Sequence, residues 1–149
     1  MASYWRCPED IRDLSREIIS AHHEHLFDVR ILLLFLDKAA KKGDKLTAAT
    51  ASKMSAKDNA IADATPPYDF KIIIANDLWM LNSEAWRRAL IDHELCHCGG
   101  TSGGGWELVG HDLEEFAAII ERHGLWKSDV KDFVGRVVQL DLFPQTEAE

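Results

Sequence analysis

The feature that most constrains the fold is a pair of histidines four residues apart in the segment RALIDHELCHCGG, residues 88–100. Residues at this spacing lie on one face of an α-helix, where both imidazoles can reach one tetrahedral metal ion. Trp86 and Leu90 precede His93 and His97 at three- and four-residue steps on the same face. The spacing therefore predicts a helix that presents His93 and His97 to a metal.

The residue between the two histidines adds chemistry to this pair. Glu94 directly follows the first histidine, so it projects beside the metal without ligating it and can accept a proton from an attacking water. A catalytic zinc ion takes three protein ligands and keeps one position open. His111, which follows the glycine-rich run, is the best third ligand from its position, and Glu114 and Glu115 are the competing ones.

Cysteine usage bears on the compartment and on the ligand set. Cys7, Cys96 and Cys98 are an odd number, and two of them are too close together to staple separate elements, which indicates a reducing compartment with free thiols or metal ligands. Cys96 is predicted to point away from His93 and His97 and to pack as a small buried residue. Cys98 could instead complete a closed structural site with the two histidines.

Other residues have two interpretations. The histidines at 22, 23 and 25 are predicted to form a solvated helix end, although one ring could approach the site. Trp106 could belong to the core or line a substrate groove. The candidate donors to an oxyanion are Tyr68, Arg122 and His123.

Patterning along the chain predicts an α+β domain. We expect a helix over residues 8–27, a buried strand over 28–36, and a strand over 46–56 that pairs back through the turn at Gly43. Phe70–Ala75 is the clearest strand, with Asn82 or Ser83 as cap of the next helix and the glycines of 99–105 as its end. Further helices are predicted from 111 or 112 to 123, with Gly124 as stop signal, and from 128 onward.

Length and charge restrict the functional classes. The 149 residues fit a single domain, 1–149, with a core over about 8–143 and a flexible tail over 144–149. The 17 basic and 25 acidic residues give a net charge of -8, which disfavours nonspecific nucleic-acid binding. No apolar run has the length of a signal peptide or a membrane span, so we expect a soluble, cytoplasmic protein without a membrane partner.

The residues also resemble a known family. HELCH followed by GHDLEEF is similar to the SprT-like branch of the zincins. The runs HLFDVRILLLF, YDFKIIIANDLW and RRALIDHELCHC more closely resemble small metallopeptidases of bacteriophages and prophages. The resemblance covers roughly residues 8–126. The SprT-like pattern has His-Gly where this chain has His111-Asp112.

The resemblance implies a fold, a cofactor and a function. It implies a zincin-like, SprT-like α+β domain with a small mixed or antiparallel sheet, an N-terminal helix, a helix bearing the HExxH motif and following C-terminal helices. His93, His97 and His111 would bind one Zn²⁺ per chain, with Glu94 as general base and acid. The expected function is a zinc metallopeptidase acting on a peptide or protein substrate, which lies extended along the edge strand Phe70–Ala75. The alternative is a zinc-containing, non-catalytic phage protein that binds and inhibits a host defence protein.

Overall fold

The structure is a computed structural model that describes residues 1–43, 45–110, 117–124 and 126. The chain forms two compact units, Met1–Gly110 and His111–Glu149, and each is described by itself. The strands of the first unit are β1 (Tyr4–Arg6), β2 (Ile31–Leu36), β3 (Ala40–Lys42), β4 (Lys45–Thr47), β5 (Ala49–Lys53), β6 (Phe70–Ala75), β7 (Cys98–Thr101) and β8 (Gly105–Leu108). Its helices are α1 (Glu9–His22), α2 (Ala56–Ala62), α3 (Asn76–Leu81) and α4 (Glu84–Cys96), with a 3-10 turn over Glu24–Leu26.

A four-stranded mixed sheet lies at the centre of the first unit, in the order β1, β2, β6, β5. Its two central strands, β2 and β6, run parallel, and each outer strand is antiparallel to its neighbour. The two continuously apolar segments form the central strands β2 and β6. A strand with a neighbour on each side is buried, and a run of apolar residues suits that position. Phe70, Ile72 and Ile74 of β6 are fully buried. This arrangement confirms a small mixed α+β fold and both predicted buried strands.

The segment predicted as one strand over 46–56 changes partner within its length. β4 pairs with β3 across the turn at Gly43, whereas β5 pairs with β6. The change occurs at Ala48, whose carbonyl oxygen accepts a hydrogen bond from the amide of Ala75 at 2.8 Å. The predicted pairing back through the turn is confirmed for Lys45–Thr47. The prediction of one strand over 46–56 was wrong, because pairing of β5 with a distant strand is not visible in local composition.

The N-terminal helix is shorter than predicted. α1 ends at His22, and His23 leaves the helical region with a φ of -134° before the 3-10 turn begins. The helix ends where the side chain of His23 becomes buried. The local sequence pattern does not predict this burial. Ile11, Ser15 and Ile18 form the buried face of α1.

The second unit is described over residues 117–124 and at 126. Helix α5 spans Ala117–His123 and is followed by Gly124 at a φ of +67°, which confirms the predicted stop signal. The predicted start of this helix, the helix from 128 onward and the tail over 144–149 lie outside the described residues. The single-domain organisation stays a prediction. No helix among the described residues is long and apolar enough to cross a membrane.

Candidate active site

Helix α4 presents the histidine motif. Its first residue follows Ser83, whose Oγ accepts a hydrogen bond from the amide of Trp86 at 3.2 Å and caps the helix as predicted. The seven residues from Ala89 to Leu95 are buried, so the end of the helix that carries the motif lies inside the fold. His97 directly follows the last helical residue and keeps right-handed helical dihedral angles, so it stays one turn after His93.

The motif brings three potential donor groups together. Donor atoms of His93, Glu94 and His97 all lie within 4.8 Å of one another, and the two imidazole centroids are 5.3 Å apart. His93 and Glu94 are buried, at 5% and 3% exposure, while His97 is half-buried. Two imidazoles and a carboxylate are donor types that zinc accepts. The donor set therefore fits a zinc ion held by the histidines with the carboxylate beside it.

The ring of His97 is oriented by the backbone of Val109. Nδ1 of His97 lies 2.6 Å from the carbonyl oxygen of Val109, and the amide of Val109 donates to the carbonyl oxygen of His97 at 2.7 Å. A carbonyl oxygen only accepts hydrogen bonds, so Nδ1 must carry the proton. The lone pair of a neutral ring then belongs to Nε2. Metal-binding histidines are held in this way, with the second ring nitrogen donating to a carbonyl or carboxylate.

A glycine hairpin holds Val109 in place. The predicted glycine loop after the helix is the antiparallel pair β7 and β8, with Gly99 opposite Glu107. A Cβ at Gly99 would overlap the side chain of Val109, and one at Gly100, where φ is +88°, would overlap the backbone of Gly105. The glycines therefore end α4 as predicted, but they also allow two backbones to approach closely. Sequence reasoning missed Val109, and the glycines at 99 and 100 were the available signal.

The third predicted ligand cannot be compared with the structure in the same way. His111, Glu114 and Glu115 lie outside the described residues. Their assignment, with His111 first, stays a prediction.

Two of the predictions made for the cysteines disagree with the structure. None of the three forms a disulfide. Burial, and secondly the nearby Glu94 carboxylate, raises the pKa of the Cys98 thiol to about 12, and its Sγ donates to the backbone carbonyl of Glu94 at 3.7 Å. Among the described residues the donor cluster around His93 and His97 does not include Cys98, which argues against the closed structural site. Cys96 was predicted as a buried packing residue and is instead half-buried.

The histidine cluster is divided between solvent and the interior. His22 and His25 are exposed, as predicted, but Nε2 of His25 lies 2.9 Å from the carbonyl oxygen of Cys98, so this ring approaches the motif, as the sequence analysis allowed for one of the three. His23 was predicted with them and is buried, with its Nε2 2.7 Å from Oδ1 of Asp92 on α4. The prediction was wrong for this ring because only the fold brings Asp92 to the end of α1.

The edge strand next to α4 is β5, and not the strand that was predicted. β6, Phe70–Ala75, is flanked on both sides, so it has no free edge. α4 and β8 both contact β5, and no further strand among the described residues pairs with its outer edge. Two backbone hydrogen bonds, from Ala75 to Ala48 and from Met54 to Asp69, show which residues of β5 direct their backbone groups toward β6. By strand alternation, the N–H and C=O groups of Ala49, Ala51 and Lys53 point to the outer edge.

Two aromatic candidates have structural contacts elsewhere. The indole of Trp106 packs edge-on against the buried Phe70 at a centroid distance of 5.9 Å, which favours the core interpretation. The ring of Tyr68 lies under the guanidinium of Arg30 at 5.0 Å and lines a cleft with residues of α1 and β2. Arg122 and His123 belong to the second unit.

Comparison with known proteins gives one family. The model of the family described as "Putative phage metallopeptidase" matches residues 3–138. No curated protein and no solved structure matches the chain significantly.

Proposed function

Because the chain belongs to the "Putative phage metallopeptidase" family, we propose that it is a zinc-dependent peptidase of zincin type, with His93, His97 and His111 as zinc ligands and Glu94 as general base and acid. The observation that carries the proposal is the ring of His97, whose Nδ1–H donates to Val109 beside the buried His93 and Glu94. With the proton on Nδ1, the lone pair of the neutral ring is on Nε2, as metal binding requires. A histidine with only a packing role does not need this combination of ring orientation and donor cluster.

The position of Val109 supports His111 as the third ligand. Val109 makes both backbone and ring contacts with His97, and His111 is only two residues farther along the chain. Two extended residues span at most roughly 7 Å. This short separation in the sequence is what favours His111 among the three candidates. Glu114 and Glu115 follow His111 by three and four residues, so the contact between Val109 and His97 constrains their positions less.

The residues of the motif divide the work of hydrolysis. Zinc, when bound, supplies Lewis-acid chemistry that polarises a carbonyl and makes water more acidic. Glu94 accepts the proton of the attacking water and transfers it to the nitrogen of the leaving amine. The burial of Glu94 and His93 excludes bulk water from the reacting groups. Val109 keeps His97 in one tautomer while this proton moves.

The outer edge of β5 is the surface on which we place the substrate. An extended peptide can pair with the outward-pointing backbone groups of Ala49, Ala51 and Lys53 and thus extend the sheet next to α4. Main-chain pairing supplies affinity for any extended peptide, and side-chain preference comes from neighbouring pockets. The substrate is thus a peptide or a protein with an extended segment.

Substitution of Glu94 tests the catalytic assignment. Glu94→Gln should retain zinc, measured by mass spectrometry of metal content, and lose about 10²–10⁴-fold in cleavage of a complex peptide pool. Glu107→Gln, at an exposed position on β8, is the matched control and should cleave normally. Cleavage by Glu94→Gln at the wild-type rate would refute the role of Glu94. A protein that instead acts by binding a host partner should tolerate Glu94→Gln in its biological assay.

Metal content tests the ligand set. His111→Ala should lower zinc affinity, whereas Glu114→Ala and Glu115→Ala should not. Loss of zinc from a glutamate variant and not from His111→Ala would assign the third ligand to that glutamate.

Proline substitutions test the edge strand. Ala51→Pro removes an outward N–H and leaves the pairing with β6 intact, so it should fold and weaken cleavage through KM. Ser52→Pro removes an inward N–H and should destabilise the sheet. Unchanged kcat/KM in Ala51→Pro would exclude pairing of the substrate at this edge.

A further inference from the structure

A second cluster of metal-donor side chains lies on α4 beside the first. Donor atoms of His23, Asp92 and Cys96 all lie within 4.8 Å of one another. His23 and Asp92 are buried, at 5% and 1% exposure, and Cys96 is half-buried. We propose that this cluster binds a second zinc ion, separate from the ion assigned to His93 and His97.

The helix explains how two sites can be adjacent. Asp92 and Cys96 are four residues apart, as are His93 and His97, and the two pairs are offset by one residue. One residue corresponds to a rotation of roughly 100° around an α-helix, so the pairs face neighbouring sides of α4. Val109 contacts the side that carries His97, and His23 contacts the side that carries Asp92. The two ions would therefore have separate ligands.

The donor set matches the chemistry of zinc. Imidazole nitrogen, carboxylate oxygen and thiolate sulfur are its three protein donors, at about 2.0–2.3 Å from the ion. Two ligand atoms of a tetrahedral ion then lie roughly 3.3 Å apart. Nε2 of His23 and Oδ1 of Asp92 are 2.7 Å apart, so they must separate by roughly 0.6 Å. The donor atom of Cys96 lies within 4.8 Å of those of the other two residues.

Metal binding replaces a hydrogen bond and releases a proton. The contact between His23 and Asp92 holds a proton between nitrogen and oxygen, and the ion takes its place. The imidazole then carries its proton on Nδ1, and the thiol of Cys96 loses its proton to solvent as it becomes a thiolate ligand. Neither an oxidant nor a reductant is needed.

The second site would have a structural consequence for the first. His23 lies at the C-terminal end of α1, while Asp92 and Cys96 flank the residues His93 and Glu94 on α4. An ion shared by the two helices would fix the turn of α4 on which the peptidase motif lies. This role does not depend on whether the neighbouring site is catalytic.

Zinc stoichiometry is the first test. The full chain is purified without a histidine tag, stripped with a chelator, reloaded with zinc and freed of excess metal, and its zinc is then counted by mass spectrometry. The wild type should hold about two ions per chain, and Cys96→Ala about one. Cys98→Ala is the matched control and should hold about two. No loss of zinc in Cys96→Ala relative to the wild type would overturn the proposal.

Cobalt distinguishes the two sites independently of activity. A cobalt ion bound by a thiolate gives a charge-transfer absorption in the near ultraviolet, and histidine ligands do not. This band should appear in the wild type and in the double variant His93→Ala, His97→Ala, and should be lost in Cys96→Ala. Its absence from the wild type, its persistence in Cys96→Ala, or its loss in Cys98→Ala alone would reject the site.

The double variant separates failure of this inference from failure of the proposed peptidase site. Loss of one zinc ion with the cobalt band retained locates an ion at His93 and His97 and another at Cys96. If Cys96→Ala fails to fold by circular dichroism, Cys96→Ser replaces it, because a serine hydroxyl is nearly isosteric and a much weaker zinc ligand. Loss of the band in folded Cys96→Ser supports the site, and retention of the band rejects it.

Discussion

The contact between His23 and Asp92 should make a large contribution to the stability of the metal-free protein. Nε2 and Oδ1 are 2.7 Å apart, and the two side chains are 6% and 1% exposed. Removing one partner of a buried hydrogen bond costs about 1–3 kcal/mol, and breaking a buried ion pair costs about 3–5 kcal/mol. We therefore expect Asp92→Ala to lower the free energy of unfolding by about 2–4 kcal/mol. That is a large part of the roughly 5–15 kcal/mol typical of a domain.

Urea unfolding in the presence of a chelator measures this effect without any contribution from bound metal. Asp92→Asn retains a side chain that can hydrogen-bond to His23, so its loss should be smaller than that of Asp92→Ala. Glu17→Ala is the control for an exposed pair, because Glu17 meets Arg88 at 3.0 Å with side chains that are 62% and 39% exposed. It should cost less than about 1 kcal/mol.

The comparison has a clear refuting result. If Asp92→Ala and Glu17→Ala lower the free energy of unfolding equally, burial does not make the interaction between His23 and Asp92 important. An equal loss in Asp92→Asn and Asp92→Ala would instead show that the negative charge matters and the hydrogen-bonding shape does not.

Three other variants or reactions test the surroundings of the motif. Ser83→Ala should lower the free energy of unfolding by about 1 kcal/mol in urea, because it removes the cap of α4. Gly100→Ala, at a φ of +88°, should cost about 1–3 kcal/mol and should weaken zinc binding by about 10-fold or more, measured by competition with a chelating dye, because it disturbs the hairpin that carries Val109. Burial raises the pKa of the Cys7 and Cys98 thiols to about 12, so alkylation of the chelated native protein at pH 8, followed by peptide mass spectrometry, should label Cys96 first.

Each of these has a matched control. Ser83→Asp keeps a capping oxygen and should retain stability. Gly103→Ala has open space around the added methyl group and should leave both stability and zinc affinity unchanged. Denaturation should make all three thiols react alike. Wild-type stability of Ser83→Ala, wild-type zinc affinity of Gly100→Ala, or equally fast native labelling of Cys7 would contradict the corresponding argument.

The parts of the structure that the sequence predicted are those with local causes. β6 was predicted because it is an isoleucine-rich run bounded by turn residues, and α4 because it has a cap, a buried face and a glycine stop. The turn at Gly43 and the pairing across it were also predicted, although the strand that follows the turn is shorter than expected. Pairing between segments far apart in the chain depends on the whole sheet and leaves little mark on the local pattern.

The same division applies to the candidate site. His93, Glu94 and His97 could be chosen from spacing alone, because four residues is a property of the helix itself. The sequence did not predict the contact from Val109 to His97 or the burial of His23 against Asp92, since each joins residues from different elements. Cys96 was assigned to packing for the same reason, because its neighbour His23 lies far from it in the sequence.

By itself, the sequence determined which metal-donor side chains the chain offers and how they are spaced on a helix, since donor type and helical spacing are covalent and local properties. Only the tertiary structure decided the surroundings of those donors. It decided which ring nitrogen of His97 carries a proton, which strand forms the edge beside α4, and which of the histidines at 22, 23 and 25 is buried. These depend on contacts formed when distant segments pack, and the free energy of such contacts belongs to the assembled core and not to any one segment.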